Sequence, residues 1–186
     1  DGTSDGTREI YFYGQPASGF YQLTYSAGTL WFTGDSGGDR ELYWCDSYVA
    51  QEIEINPLGS SYPAYLTDFD GTLYFRADNG VNGYELFKAE HLSPFFYTAS
   101  LVRDILPGSE SSYLSSLYAL NGNLFFSADD GLNGAELWKS NGTAAGTVLV
   151  SDIMPGMDGS WPTGFATLGG SVVLFNASNG TSGYEL

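Results

Sequence analysis

Short apolar strands separated by glycine-containing turns recur along the whole chain, and the same order of strands returns four times. Each unit begins with two strands joined by a tight turn, whose residues are Ala-Gly, Asp-Gly, Asn-Gly or Gly-Gly. These residues suit the positive φ angles of a short hairpin connection. The predicted strand pairs are 21–24 with 29–32, 64–67 with 72–75, 116–120 with 123–126, and 164–168 with 171–175.

A third and a fourth strand follow each hairpin. The third strand begins with Glu-Leu at Glu41, Glu85, Glu136 and Glu185, which are 44, 51 and 49 residues apart. The fourth strand, at 51–55, 100–105 and 147–153, ends in a loop with proline, which offers no N–H group to a β-ladder. Four short strands every 40 to 50 residues, roughly, are typical of a propeller blade. Only residues 88–92 offer a turn of helix.

The strands show little polar alternation, as expected of strands that are covered on both faces. Residues 1–7 align with residues 141–147, so strand 8–12 corresponds to a fourth strand, which unit four otherwise lacks. We therefore predict one all-β domain over residues 1–186. It is a four-bladed β-propeller of four-stranded antiparallel blades, closed by the N-terminal strand. The alternative is a slice of a longer repeat protein.

Composition and charge narrow the class of protein. The hydrophobic share of 42% argues against disorder, and 186 residues suffice for a sizeable core. A net charge of −16 leaves few basic side chains for phosphate groups, so we predict no nucleic-acid partner. The chain has no run of about 18 apolar residues, so no membrane insertion is predicted. The negative charge is typical of the surface of a soluble secreted protein, and cation binding is the more specific alternative.

The single cysteine, Cys45, lies in a strand-like run and is predicted to be a buried thiol.

One unit carries a family resemblance. Residues 136–156 read Glu-Leu-Trp-Lys-Ser-Asn-Gly-Thr-Ala-Ala-Gly-Thr-Val-Leu-Val-Ser-Asp-Ile-Met-Pro-Gly. This unit resembles the ELWxxDGT repeat family, with Asn141 in place of the aspartate. The unit from Glu85 keeps Glu-Leu-Phe and Asp-Ile-Leu-Pro-Gly, and the unit from Glu41 is the most degenerate. The family occurs as tandem arrays in large secreted or surface proteins. The resemblance therefore implies an extracellular or cell-surface location, and it implies no reaction.

The four recurring glutamates are the first candidates for chemistry, because equivalent carboxylates could converge and hold a cation. We favour the alternative that each carboxylate satisfies turn N–H groups of its own or the next blade, since a carboxylate inside a strand must be hydrogen-bonded wherever it lies.

The aspartate-rich turns are the second candidates. Asp68, Asp70, Asp129 and Asp130 lie in flexible, oxygen-rich loops that suit Ca²⁺, although none matches an EF-hand. Aspartate and glycine are also ordinary hairpin residues. Ca²⁺ is therefore the one possible cofactor that the sequence suggests, and we favour the interpretation that these aspartates only form turns.

Residues for catalysis are scarce. His91 is the only histidine, so a histidine zinc site lacks ligands and a Ser-His-Asp triad would depend on one residue, which we predict to lie in a solvated loop. Paired carboxylates could hydrolyse a glycoside. The arginines that a sialidase-like site would need are spread one per repeat, at Arg8, Arg40, Arg76 and Arg103. We predict no catalytic residue.

Two further features concern glycans. Trp161 lies in the loop Gly-Ser-Trp-Pro and is the tryptophan best placed for an exposed sugar contact, because the other three lie in strands. Asn141, Asn176 and Asn179 begin Asn-X-Ser/Thr sequons and are predicted glycosylation acceptors. The alternative is chance, since Asn-Gly turns beside Ser or Thr recur in this repeat.

These observations predict a non-catalytic structural or interaction module of an extracellular or cell-surface assembly, such as a filament subunit. Its partners would be other copies of itself or other surface and matrix proteins. The alternative is a glycan-binding propeller, a lectin. A glycoside hydrolase ranks third and would need two close carboxylates in one cleft.

Overall fold

The computed structural model shows an all-β protein and describes residues 11–12, 15–16, 19–46, 49–93 and 96–186. Antiparallel sheets follow one another along the chain as the blades of a four-bladed β-propeller, as predicted. A small ladder of β1 (Tyr11–Phe12) and β2 (Gln15–Pro16) precedes the first blade. The described part of the chain contains no helix that could cross a membrane.

Three blades have four strands each, and the fourth has three described strands. Blade 1 contains β3 (Tyr21–Ser26), β4 (Thr29–Ser36), β5 (Asp39–Cys45) and β6 (Gln51–Ile53). Blade 2 contains β7 (Ala64–Phe69), β8 (Thr72–Asp78), β9 (Tyr84–Ser93) and β10 (Phe96–Arg103). Blade 3 contains β11 (Ser115–Leu120), β12 (Asn123–Asp129), β13 (Ala135–Ser140) and β14 (Val148–Ser151). Blade 4 contains β15 (Thr163–Leu168), β16 (Val172–Ser178) and β17 (Tyr184–Glu185).

The predicted closing strand, residues 8–12, lies outside the described residues except for its last two. Tyr11 and Phe12 form β1, and Tyr11 also makes a parallel bridge with Val49 beside blade 1. The carbonyl oxygen of Tyr11 accepts a hydrogen bond of 2.8 Å from the Ala50 N–H group. Within the described ranges, β17 pairs with β16 alone.

The predicted helical turn at residues 88–92 is wrong. This stretch belongs to β9, which forms a long hairpin with β10, and His91 pairs with Tyr97 across it. His91 is exposed, but it lies on a strand rather than in a loop. Extended cross-strand pairing therefore outweighs the local helical preference of these residues.

The tight turns within the blades have the backbone conformation that their residue types predict. In the β7–β8 turn, Asp70 and Gly71 both have positive φ, at 51° and 76°. Asn121 and Gly122 repeat the pattern in blade 3, at 51° and 70°. Positive φ at both central positions is the geometry that matches the twist of the flanking strands.

The first strand of every blade contains a β-bulge that its residue types do not predict. In blade 1 the ladder shifts between Tyr21 and Thr24, and the other three blades shift at the equivalent place. The bulged residues have φ between 52° and 64°, and they are Gln22, Tyr65, Ser116 and Gly164. Since only one of them is glycine, the surrounding fold must hold the other three in this conformation.

The core lies between successive blades. Trp31 and Leu42 of blade 1 pack in one cluster with Phe75 of blade 2. The opposite face of blade 2 contributes Leu86 to a second cluster, which includes Phe126 of blade 3. Each buried side chain of this size stabilises the fold by about 1.5–3 kcal/mol. Cys45 is buried at blade 1, as predicted.

Candidate functional site

Glu136 lies at the start of the third strand of blade 3 and is fully buried. Its carboxylate accepts hydrogen bonds from the N–H groups of Ile153, Met154 and Ser160, at 3.0, 3.1 and 2.9 Å. The Ser160 hydroxyl donates a fourth bond of 2.6 Å. Ser160 belongs to the linker that leads into blade 4. The Glu136 carboxylate therefore links blade 3 to the segment that leads into blade 4.

Glu41 and Glu85 repeat this arrangement, and both are fully buried. Glu41 accepts bonds from the Ile55 N–H group at 3.1 Å and from the Ser61 N–H and hydroxyl groups at 2.9 and 2.5 Å. Glu85 accepts bonds from the N–H groups of Ile105, Leu106 and Ser112 at 3.0, 3.3 and 3.2 Å. The expectation that these glutamates satisfy turn N–H groups is confirmed for blades 1 to 3. Glu185 of blade 4 is exposed.

Burial also sets the acidity of these groups. Burial raises the pKa of Glu41 to about 7, while the hydrogen bonds from Ser61 and Ile55 act in the opposite direction. The pKa of Glu85 is raised to about 7 for the same reason. Burial disfavours the charged form of a carboxyl group, and the donors recover part of that cost.

The repeat's signature loop, residues 141–147, is held by its own side chains. Asn141 Oδ1 accepts hydrogen bonds from the Thr143 N–H and hydroxyl groups at 3.1 and 2.7 Å. The Thr143 hydroxyl in turn accepts a bond of 3.0 Å from the Gly146 N–H group. A Cβ atom at Gly146 would collide with the Asn141 side chain, and one at Gly142 would collide with the Tyr74 hydroxyl of blade 2. The loop is thus a structural turn that also contacts the preceding blade.

The calcium candidates lie in two separate places. Asp129 and Asp130 are in the β12–β13 turn, where Asp130 accepts bonds from the N–H groups of Leu132 and Asn133 at 2.9 and 3.0 Å. Burial acts to raise the pKa of Asp130, but these bonds outweigh it and the pKa is lowered.

Asp68 and Asp70 lie at the β7–β8 turn, and Asp68 accepts a hydrogen bond from the Ser26 hydroxyl of blade 1. In an antiparallel blade, the turn between the first two strands and the turn between the second and third strands lie at opposite ends of the strands. The two aspartate pairs occupy these two kinds of turn and therefore do not converge. Across the described ranges, no three side chains of histidine, cysteine, aspartate or glutamate come together to hold a metal ion. Ca²⁺ binding stays a prediction.

His91 lies beside a cavity of ≈ 260 Å³ between blades 1 and 2, with its ring centroid 4.7 Å from that of Tyr97. Ser26 also lines this cavity, but its hydroxyl donates to Asp68. Ser26 therefore bonds to an aspartate and not to His91, which differs from the order of a Ser-His-Asp triad.

The glycan candidates are all at the surface. Trp161 is half-exposed, and its indole N–H group donates a bond of 3.0 Å to the Asp158 carbonyl oxygen, so the ring is held against its own loop. Asn141, Asn176 and Asn179 are exposed. Glycosylation at these positions and sugar contact by Trp161 stay predictions.

Sequence reasoning missed one cluster. Arg40 and Arg76, 36 positions apart, line a common cavity of ≈ 240 Å³ between blades 1 and 2, together with three tyrosines. The arginines occupy different positions of the repeat, one in β5 and one in β8, so comparison of the units could not pair them.

Comparison with known proteins assigns no relative: no family model, no curated protein and no solved structure matches this chain.

Proposed function

We propose that this protein is a non-catalytic structural module of an extracellular or cell-surface assembly, and that it associates with a second copy of itself through blade 4. The observation that carries the proposal is an exposed apolar face on that blade. Leu168, Val172, Tyr184 and Leu186 are 61%, 49%, 64% and 82% exposed. We call these four residues the blade 4 face.

The register of the strands places these residues on one side of the sheet. Leu168 pairs with Val172, and Tyr184 pairs with Ser178, which follows Val172 at an even spacing along β16. Residues at even spacing along a strand share a face, and so do cross-strand partners. Leu186 lies one residue beyond β17, and its equivalent in blade 2, Leu86, lies on the same side of the sheet as Tyr84.

Two of the four residues have buried equivalents in blade 2. Leu86 of blade 2 corresponds to Leu186 and is fully buried. Phe69, which corresponds to Leu168, is also buried, and both residues share a cluster with Phe126 of blade 3. The blade 4 face therefore repeats a surface that elsewhere in the molecule is covered by a further blade. Such an exposed apolar surface is typical of an interaction site.

Charge limits where two copies could meet. Each chain carries a net charge of −16, so two copies repel each other over most of their surfaces. The four residues of the blade 4 face are uncharged, so contact there is opposed least. Two identical faces can also pair about a twofold axis and bury both apolar surfaces at once.

Two observations support a non-catalytic, extracellular role. The carboxylates of Glu41, Glu85 and Glu136 already bind the linkers between blades. The exposed sequon asparagines and the resemblance to the ELWxxDGT repeats favour a location outside the cell.

The test is sedimentation velocity over a range of protein and salt concentrations. The wild type should self-associate, and more strongly at high salt because salt screens the repulsion. The double variant Leu168→Lys, Val172→Lys should stay monomeric. The matched control is Leu58→Lys, Leu132→Lys, which adds the same charge at exposed leucines outside the blade 4 face and should behave as the wild type. A monomeric wild type at millimolar concentration, or equal behaviour of the two double variants, would contradict the proposal.

A further inference from the structure

Two of the six basic side chains of this acidic protein meet at one cavity. Arg40 comes from β5 of blade 1, and Arg76 comes from β8 of blade 2. The cavity between them has a volume of ≈ 240 Å³ and also exposes Tyr21, Tyr62 and Tyr84. Arg40 is paired with Asp35, whereas Arg76 forms no salt bridge within the described part of the chain.

The guanidinium groups retain hydrogen-bonding capacity. Arg40 donates from Nε and Nη2 to the Asp35 carboxylate at 2.7 and 3.0 Å, which engages one edge of the group. Arg76 donates from Nη1 to the Leu114 carbonyl oxygen at 3.3 Å. The Arg76 Nε–H group is buried and has no hydrogen-bond partner within the described part of the chain. That nitrogen is closed to solvent, so an acceptor that enters the cavity would bond instead to Arg40 Nη1 and Arg76 Nη2, which make no hydrogen bond within the described part of the chain.

Tyrosine rings hold the two arginines in place. The guanidinium carbon of Arg40 lies 4.6 Å from the ring centroid of Tyr21 and 6.0 Å from that of Tyr62. The guanidinium carbon of Arg76 lies 4.8 Å from the ring centroid of Tyr84. Cation–π contacts of this kind restrict the arginine side chains and orient them before a ligand arrives.

The chemistry of the walls points to a particular kind of ligand. Arginine matches the planar carboxylate group better than lysine does, because its N–H donors form a rigid fork. The tyrosines offer flat apolar faces and hydroxyl groups, and Gln22 and Thr33 add further polar atoms at the cavity. Flat aromatic faces together with hydrogen-bonding groups suit a polyhydroxylated ring. An apolar ligand would offer no acceptor to the guanidinium N–H groups that the protein leaves without one.

We propose that this cavity binds a single saccharide unit that carries a carboxylate, such as the uronic-acid unit of an acidic glycan. The small volume favours one sugar unit over an extended polyanion. The overall negative charge of the protein would repel a polyanion at long range, whereas the two arginines act within the cavity. This site is separate from the blade 4 face and does not depend on self-association.

The experiment is ligand-observed NMR with two matched sugars, methyl β-D-glucuronide and methyl β-D-glucoside. They differ only in a carboxylate that replaces a hydroxymethyl group. The glucuronide should bind the wild type, and the neutral glucoside should bind at least about tenfold more weakly, because it lacks the charged acceptor.

Three variants locate the site. Arg40→Gln and Arg76→Gln should each weaken glucuronide binding by about tenfold or more. Lys139→Gln removes the same charge from blade 3 and should leave binding unchanged. The Arg40 side chain is at the surface, so Arg40→Gln and the comparison of the two sugars on the wild type test the proposal even if Arg76→Gln does not fold. The proposal is overturned if the wild type does not bind the glucuronide, if both sugars bind equally, or if Lys139→Gln weakens binding as much as Arg40→Gln.

Discussion

At the scale of single residues, the buried glutamates explain why Glu-Leu begins the third strand of each unit. Each of the three buried carboxylates accepts bonds from N–H groups that lie two or three residues after its own blade's fourth strand and from a serine in the next linker. Recurrence in the sequence marked the glutamates and predicted their role. It did not identify the donors, although Ser61, Ser112 and Ser160 each precede Tyr or Trp and so carry a repeated signal of their own.

Replacing Glu85 with alanine should therefore destabilise the protein strongly. The change leaves the N–H groups of Ile105 and Leu106 without an acceptor and removes one of the two acceptors of the Ser112 N–H group, so we expect the free energy of unfolding to fall by roughly 3 kcal/mol. Urea unfolding measures this quantity. The control is Glu110→Ala, at an exposed glutamate in the following linker, which should change it by less than about 0.5 kcal/mol. Equal effects of the two changes would contradict the structural role of Glu85.

At the scale of elements, the signature loop and the β-bulges show how far local sequence determines shape. The loop at residues 141–147 has side chains that bond to each other within a few positions, so its residue types indicate its conformation. The bulges at Gln22, Tyr65 and Ser116 could not be predicted, because these residue types do not favour positive φ. The packing of one first strand against the next, rather than local preference, must maintain them.

The loop makes a specific prediction at Gly146. The Gly146→Ala change places a Cβ atom against the Asn141 side chain, which must turn away and lose its bonds to Thr143. We expect a loss of about 1 kcal/mol in the free energy of unfolding. Combination with Asn141→Ala forms a double-mutant cycle, and the added cost of Gly146→Ala should largely disappear in that background. A cost that is unchanged there would show that Asn141 is not the cause.

At the scale of the whole molecule, two buried glutamates, Glu41 and Glu85, make the stability of the fold depend on pH. An unperturbed glutamate titrates near 4.5, whereas the pKa of Glu41 and Glu85 is about 7 in the folded protein. Between these values the folded state binds more protons than the unfolded state. The resulting stabilisation is fully present below about pH 4.5 and is lost as the pH rises through about 7.

Urea unfolding at about pH 5 and about pH 8 should therefore give a lower free energy of unfolding at the higher pH. In the Glu85→Gln variant, which cannot titrate at this position, the difference between the two conditions should be smaller. Glu110→Gln, at an exposed position, should retain the wild-type difference. The assignment to Glu85 fails if both variants show the same pH dependence as the wild type.

The sequence alone determined the all-β class, the four blades and the positions of most strands, because those features follow from local signals that recur. Asp-Gly and Asn-Gly turns select their own backbone angles, proline ends ladders, and the spacing of Glu-Leu sets the repeat. Only the tertiary structure decided which side chains meet across blades. The pairing of Arg40 with Arg76, the serine donors of the buried glutamates and the exposure of the blade 4 face all depend on how neighbouring sheets cover each other. Contacts between residues far apart in the chain arise from this packing; a recurring residue such as these serines is visible in the sequence, but its partner is not.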